Sequence, residues 1–400
     1  MPRPSRIRRW PLLCLALGLC LAGVPSAASA AYTPHLNLSY DIDSPPAPSP
    51  ARHNQLDLYT PTGARQGSRP VVAYVHGGGW QVGDKRNKIL RKVNLFTGQG
   101  YVFASLNYRL SPTAPPTGAF DPNRVRFPDH PHDVGEAIGW LRRNVARYGG
   151  DPSRIVLIGH SAGAHLVSLV GTDPRYVQAY GVRSRNLLGV VSLDTAYDIT
   201  PLANPQREGS RGTWSVFGTP EENAATGSWR AASPLFWADP SDPPFLVVGR
   251  QAAPRRRQNE ARRFVTALGL GSGSLLAVPL THAGINDSLG SPTDPTLETD
   301  TVTAFVRGAV VSARPKATIR RHPKRRVRAD GARARVTFSF RADRTYLRFQ
   351  CRRDRTRFKS CRSPFRWRAR PGRHTFQVRA LDPAGGPGPA DRFRFRVRRA

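Results

Sequence analysis

The stretch Ile155-Val156-Leu157-Ile158-Gly159-His160-Ser161-Ala162-Gly163-Ala164-His165-Leu166 passes in one step from an apolar, β-rich run to a series of small residues suited to a helix start. An unbroken apolar run, rather than an alternating one, predicts a strand buried on both faces of a sheet. Its continuation, Gly159-His160-Ser161-Ala162-Gly163, reads G-x-S-x-G. Larger side chains at either glycine would crowd the neighbouring elements while the serine is forced into a strained, exposed conformation above the sheet. Ser161 is therefore expected to be a nucleophile on a strand-to-helix elbow. A glycine-rich turn around a helix-capping serine would carry the same five letters, and the flanking strand and helix favour the elbow.

On the N-terminal side, the apolar run 71–75 ends in His76-Gly77-Gly78-Gly79-Trp80. Acyl transfer places negative charge on a carbonyl oxygen, and backbone N–H groups held in a loop can meet it without reorganising. The N–H groups of Gly78, Gly79 and Ala162 are the candidates for this oxyanion hole. A phosphate-binding loop is disfavoured because no Gly-Lys-Ser/Thr follows the glycines. Strand-like runs at 36–41, 55–59, 71–75, 102–106, 155–158, 190–193, 245–248 and 275–278 alternate with helical stretches. The clearest helix spans 133–148, with Val134, Ala137, Ile138, Leu141 and Val145 at helical spacing and Gly149-Gly150 as its stop. This pattern implies a mostly parallel sheet covered on both faces, with 36–41 and 55–59 as an antiparallel edge.

With these motifs in place, residues 35–312 resemble the α/β-hydrolase family, a three-layer α/β sandwich. The resemblance is to HGGG-type exported carboxylesterases, similar to feruloyl-esterase-like and kynurenine-formamidase-like enzymes. Asn107-Tyr108-Arg109-Leu110, Asp133, Tyr148-Gly149-Gly150-Asp151-Pro152 and Ser233-Pro234-Leu235 extend it as architectural positions. It implies the order Ser, acid, His, and His282 in Leu280-Thr281-His282-Ala283-Gly284 stands where the family's histidine lies. The family's usual aspartate follows the seventh strand, but here that stretch reads Gly249-Arg250-Gln251-Ala252-Ala253-Pro254-Arg255, without a carboxylate. Pancreatic-type lipases of the same fold carry their acid in a Leu-Asp after the preceding strand. Leu193-Asp194 matches that arrangement, so Asp194 is the first choice, Asp198 the second and Glu260 the third.

No cofactor is called for. His130 and His132 lack further ligands at metal-binding spacing. Pocket walls should come from 109–133 and 197–239, whose Phe120, Phe127, Trp214, Phe217, Trp229, Phe236 and Trp237 could bind an acyl group or pack beneath the loops. The implied activity is hydrolysis of a small-molecule carboxylic ester, with short or medium acyl groups favoured. The alternatives are an aryl-formamide or other amide hydrolase, and a catalytically impaired binding or adhesion protein on a hydrolase scaffold, to which the missing carboxylate points.

The 400 residues hold 61 Lys plus Arg against 27 Asp plus Glu, a net +34, and only six of the basic residues are lysines. Residues 314–400 carry +24 of that charge. Residues 1–30 read as a secretory signal: Arg3, Arg6, Arg8 and Arg9 precede the apolar run 12–24 and Ala28-Ser29-Ala30. The mature domain is then 31–313, and no transmembrane segment is expected in it. The basic stretch 314–327, with Pro315 and Pro323, reads as a linker. Short alternating strands at 336–340, 346–351, 364–367, 372–379 and 393–397 make 328–400 a small all-β sandwich resembling Ig-like or fibronectin-III-like accessory domains of bacterial surface proteins. Cys351 and Cys361, the two cysteines outside the signal, are expected to pair. Its charge predicts salt-sensitive attraction to an anionic cell-envelope polymer, whereas no motif for specific nucleic-acid binding is present.

Overall fold

The computed structural model describes residues 32–41, 53–63, 69–183, 186–271, 274–312, 316–342, 348–381 and 387–399. The secretory signal read at 1–30 lies outside them. Eight strands form one sheet: β1 (Tyr32–Ser39), β2 (Gln55–Pro61), β3 (Arg69–Val75), β4 (Val102–Leu106), β5 (Gly150–His160), β6 (Leu187–Leu193), β7 (Phe245–Arg250) and β8 (Leu275–Val278). Their order is β1-β2-β4-β3-β5-β6-β7-β8. The β1–β2 and β2–β4 pairings are antiparallel and the rest are parallel. The edge strand begins at Tyr32, ahead of the expected start at 36; Pro34 is tolerated there because β1 is the edge of the sheet among the described residues.

The unbroken apolar runs are explained by burial on both faces. In β3, Val71, Ala73 and Val75 join a core with Val134, Ile138 and Leu141 of the helix Asp129–Asn144 and with Phe264 of the helix Arg255–Ala267. Val72 and Tyr74 face the opposite core, with Val93 and Phe96 of the helix Leu90–Gly98 and Val302 and Val306 of the helix Glu298–Ser312. Successive strand side chains serve opposite faces, so an alternating polar residue anywhere in β3 would leave a buried polar group. This is a three-layer α/β sandwich with a mostly parallel sheet. Its catalytically interesting end is the carboxyl end of the parallel strands, where β3, β5, β6 and β7 release the chain in adjacent loops. Among the described residues no helix is long and apolar enough to cross a membrane.

The C-terminal residues form two further sheets around a separate apolar core that includes Phe338, Phe340, Trp367, Phe376 and Phe395. One has the order β10-β16-β15-β12-β13 and the other β14-β11-β9. The strands are β9 (Ala317–Arg321), β10 (Arg326–Ala329), β11 (Ala334–Ala342), β12 (Arg348–Arg353), β13 (Lys359–Cys361), β14 (Phe365–Ala369), β15 (Gly372–Leu381) and β16 (Asp391–Arg399). The reading of 314–327 as a linker is corrected: β9 pairs with β11 and β10 pairs with β16. Both carry a period-2 pattern, Ala317 and Ile319, then Val327 and Ala329 facing inward, masked by the neighbouring Arg320, Arg321, Arg326 and Arg328. A disulfide joins Cys351 of β12 to Cys361 of β13.

Candidate active site

β5 ends at His160, and the helix Ala162–Thr172 begins two residues later, leaving Ser161 alone at the corner. The corner forces Ser161 to φ 55° and ψ −119°, a conformation that non-glycine residues adopt only under constraint. Its N–H is held by the carbonyl of Leu193 at 2.9 Å. Gly163 is required by close approach: a Cβ there would lie 2.1 Å from the carbonyl oxygen of Val75. That contact seats the elbow directly against the strand end from which the glycine loop departs.

In that loop Gly78 has φ 120°, and a Cβ on it would fall 1.8 Å from the carbonyl oxygen of Val82. The carbonyl of Gly78 accepts from the N–H groups of Gln81 and Val82, closing a tight turn. The N–H groups of Gly78 and Gly79 donate to no group among the described residues, and Ala162, as the first helical residue, has no intrahelical acceptor for its own. Three unused donors thus flank Ser161. Trp80 closes the loop by packing edge-on against His165 and Phe217, with centroids 5.1 and 4.8 Å away.

His282 opens the short helix His282–Ser288, capped by Thr281, whose side chain accepts from the N–H of Gly284 at 2.9 Å. Asn286 ties this helix down: its side-chain oxygen accepts from the Tyr74 hydroxyl and its carbonyl from Lys92 Nζ. His160 holds the histidine's own backbone, its Nε2 lying 2.8 Å from the carbonyl of His282. Burial lowers the pKa of His160 to about 4, so it is a neutral ring and donates to that carbonyl. Nε2 of His282 then lies 2.8 Å from Ser161 Oγ, and Nδ1 lies 2.6 Å from Asp194 Oδ2. The structure thus brings Asp194, the first choice for the acid, within hydrogen-bond reach of His282.

Asp194 follows β6 directly, with φ 49° and its N–H bonded to the carbonyl of Val248. Burial pushes its carboxyl up, but the bond to His282 and the positive charge of Arg250 outweigh this and hold it below the usual carboxylate range. Arg250 Nε donates to the same Oδ2 at 2.6 Å. Arg250 thus occupies the stretch where a family aspartate was sought and contacts the carboxylate that stands in for it. The sequence reading missed this contact.

The other two candidates for the acid lie elsewhere. Asp198 turns its carboxylate to the N–H of Thr200 at 3.0 Å. Glu260 is buried on the helix Arg255–Ala267, and its Oε1 accepts from the N–H groups of Tyr197 at 2.5 Å and Asp198 at 3.0 Å. It braces the loop that carries Asp194 rather than facing His282. His130 and His132 also part company: His130 bonds Ser111 Oγ at 3.0 Å, while His132 packs edge-on against Tyr176.

A cleft of about 200 Å³ opens over Ser161. Trp80, Ala196 and Leu202 give it an apolar wall, and Arg250 and Arg257 a cationic one. The aromatic residues suggested as pocket walls pack instead: Phe217 and Trp229 are buried in a cluster with Trp214 and Phe127 against it, and Phe120, Phe236 and Trp237 each lie under an arginine.

The BD-FAE family profile matches residues 56–268, more than half of the chain. Among curated proteins, Esterase LipQ of Mycobacterium tuberculosis is 28% identical over 256 residues, covering 62% of this chain and 58% of LipQ. Phenmedipham hydrolase of Pseudarthrobacter oxydans is 39% identical over 120 residues, or 30% of this chain and 23% of that protein. The chain spans about half the length of the first curated relatives it matches. Among solved structures, a truncated carbohydrate esterase from gut microbiota superposes with TM-score 0.54 at 20% identity, covering 70% of this chain and 99% of that one. That likeness concerns the fold alone. With its profile spanning the glycine loop, the elbow and Asp194, the chain belongs to the BD-FAE family of α/β-hydrolases.

Proposed function

We propose that this protein is an exported serine hydrolase that cleaves carboxylic esters through an acyl-enzyme on Ser161. The observation that carries the reading is the continuous chain Ser161 Oγ, His282 Nε2, His282 Nδ1, Asp194 Oδ2, with links of 2.8 and 2.6 Å. Ser161 attacks the ester carbonyl while His282 Nε2 takes its proton; the negative oxygen develops toward the N–H groups of Gly78, Gly79 and Ala162. Collapse breaks the bond to the alcohol, which leaves with the proton from His282. Water then attacks the acyl-enzyme by the same steps, releasing the acid and restoring Ser161. Asp194 orients the imidazole and balances its transient charge.

The alternative of an inactive scaffold rests on the missing carboxylate after β7; the 2.6 Å approach of Asp194 Oδ2 to His282 Nδ1 supports the active reading instead. The small cleft favours short or medium acyl groups, and ester over amide follows from the similarity to esterases such as LipQ. Export rests on the leader sequence and on the Cys351–Cys361 disulfide, a bond that persists in oxidising compartments. The test is hydrolysis of p-nitrophenyl acetate and butyrate by the purified protein. The reading requires turnover that Ser161→Ala removes; equal turnover by the two proteins would overturn it.

A further inference from the structure

The cleft over Ser161 carries two guanidiniums, Arg250 and Arg257, and transfer of the acyl group to Ser161 does not itself require Arg257. Arg250 Nε is tied to Asp194 Oδ2 at 2.6 Å, and its side chain is still 30% exposed. Arg257, in the first turn of the helix Arg255–Ala267, has one hydrogen bond among the described residues: Nη1 donates to Glu260 Oε1 at 3.3 Å. That oxygen is shared with the N–H groups of Tyr197 and Asp198. The pairing is incomplete, as Arg109 shows by contrast. Burial pulls the Arg109 guanidinium down, but its fork onto Asp133, at 2.8 and 3.0 Å, outweighs this and holds its pKa above the usual range. For Arg257 burial wins over Glu260 and holds the pKa below that range. A guanidinium keeps its charge all the same, so Arg257 is a cation with donors to spare on the wall of the cleft.

A second cavity, of about 190 Å³, shares Asp194, Thr195, Arg250 and Arg257 with the cleft and adds Arg262. Among the described residues Asp194 supplies the only carboxylate lining either space, and His282 and Arg250 already hold it. Three guanidiniums thus face one engaged carboxylate. The catalytic links also tell which side of the substrate meets them. His282 Nε2 returns its proton to the departing oxygen, so the alcohol portion leaves on the histidine's side of Ser161. Arg250 stands on that side, joined to His282 through Asp194, and Arg257 lines the same cleft. Trp80, Ala196 and Leu202 leave an apolar wall for the acyl group. A guanidinium fork matches the paired oxygens of a carboxylate.

We infer that Arg257, with the Nη groups of Arg250 beside it, binds a carboxylate carried on the alcohol portion of the ester, so that the preferred substrate is an O-acylated hydroxycarboxylic acid. The inference rests on the hydrolase reading for its chemistry: the bond between acyl carbon and ester oxygen breaks, and the hydroxy acid leaves with the proton from His282. The test compares kcat/KM of the full-length protein on 4-acetoxybenzoate and on its neutral analogue 4-acetoxybenzamide. The ratio of the two should fall at least about tenfold in Arg257→Met, mainly through KM, and less in Arg257→Lys. It should stay within about threefold in Arg263→Met, which removes the same charge from an exposed position of the same helix outside both cavities. Calorimetric binding of the two compounds to Ser161→Ala and to Ser161→Ala/Arg257→Met reads the same preference without turnover. Circular dichroism checks folding, and Arg257→Gln, which can still donate to Glu260, carries the comparison if Arg257→Met does not fold. An arginine kept only to brace Glu260 would lower both substrates alike, and that result would overturn the inference. So would equal binding of the two compounds to Ser161→Ala, or an Arg257-dependent preference for monophenyl succinate over phenyl butyrate, which would put the charge on the acyl portion. Carboxylate-dependent binding without turnover would overturn the hydrolase reading alone, and turnover of both compounds without preference would overturn this inference alone.

Discussion

Replacing Asp194 by Asn keeps the shape of the side chain and removes its charge. The carboxylate oxygen Oδ2 accepts from both His282 Nδ1 and Arg250 Nε at 2.6 Å. A single Asn carbonyl oxygen in that place could still accept both bonds, so the loss is first one of charge. At about 4 Å and an effective dielectric near 20, a carboxylate stabilises an imidazolium by about 4 kcal/mol, or roughly 10³ in rate. The imidazole side chain is 46% exposed, which weakens the term, whereas a flipped amide would impose the wrong tautomer and cost up to about 10⁴. The expected fall in kcat is therefore between about 10² and 10⁴. Once Asp194 is neutral, the uncompensated charge of Arg250 opposes the imidazolium, so Asp194→Asn/Arg250→Met should run about tenfold faster than Asp194→Asn alone. The assay is kcat on p-nitrophenyl butyrate for the four corners of the cycle. An Asp194→Asn variant within fivefold of the parent, or a double variant no faster than Asp194→Asn, would refute the reasoning.

Glu260→Ala strands the amides of Tyr197 and Asp198 and leaves Arg257 without its carboxylate, so urea denaturation should show a loss of about 2–5 kcal/mol, with Glu260→Gln losing less. Glu298 is wholly buried, neither carboxylate oxygen has a hydrogen-bond partner among the described residues, and burial pushes its pKa up to about 8, with Asp294 adding to the effect. Its folded pKa lies above its unfolded one, so the stability it contributes is full below about pH 4.5 and is lost as pH rises through about 8. Glu298→Gln should raise Tm over the parent more at pH 8.5 than at pH 5, and a Tm difference independent of pH would contradict this. A chain ending at residue 312 should hydrolyse small esters within about twofold of full length, since every proposed catalytic group precedes that point; a folded truncation without activity would refute this division.

What could be read from sequence was what local chemistry imposes. The elbow and the glycine loop are contiguous motifs, and their spacing from a buried strand carries their meaning. His282 needed only its place after the last strand. The acid was harder because its partner lies 88 positions away, and only the lipase-like Leu193-Asp194 pair marked it. Arg250 was legible as a missing carboxylate and not as a contact, since sequence does not say where a side chain aims across β6 and β7. Glu260 reads as a possible acid because its partners are backbone N–H donors, which have no residue signature. The strands β9 and β10 are hidden by composition: Arg320, Arg321, Arg326 and Arg328 look like a linker until the alternate apolar residues are counted.

The central claim is that Ser161 is an activated nucleophile, and covalent labelling by a fluorophosphonate tests it without knowledge of the substrate. Mass spectrometry of the labelled protein should place one adduct on the peptide carrying Ser161, with Ser161→Ala unlabelled and His282→Ala labelled at least a hundredfold more slowly. An adduct at another residue, or equal labelling of the parent and Ser161→Ala, would contradict the account.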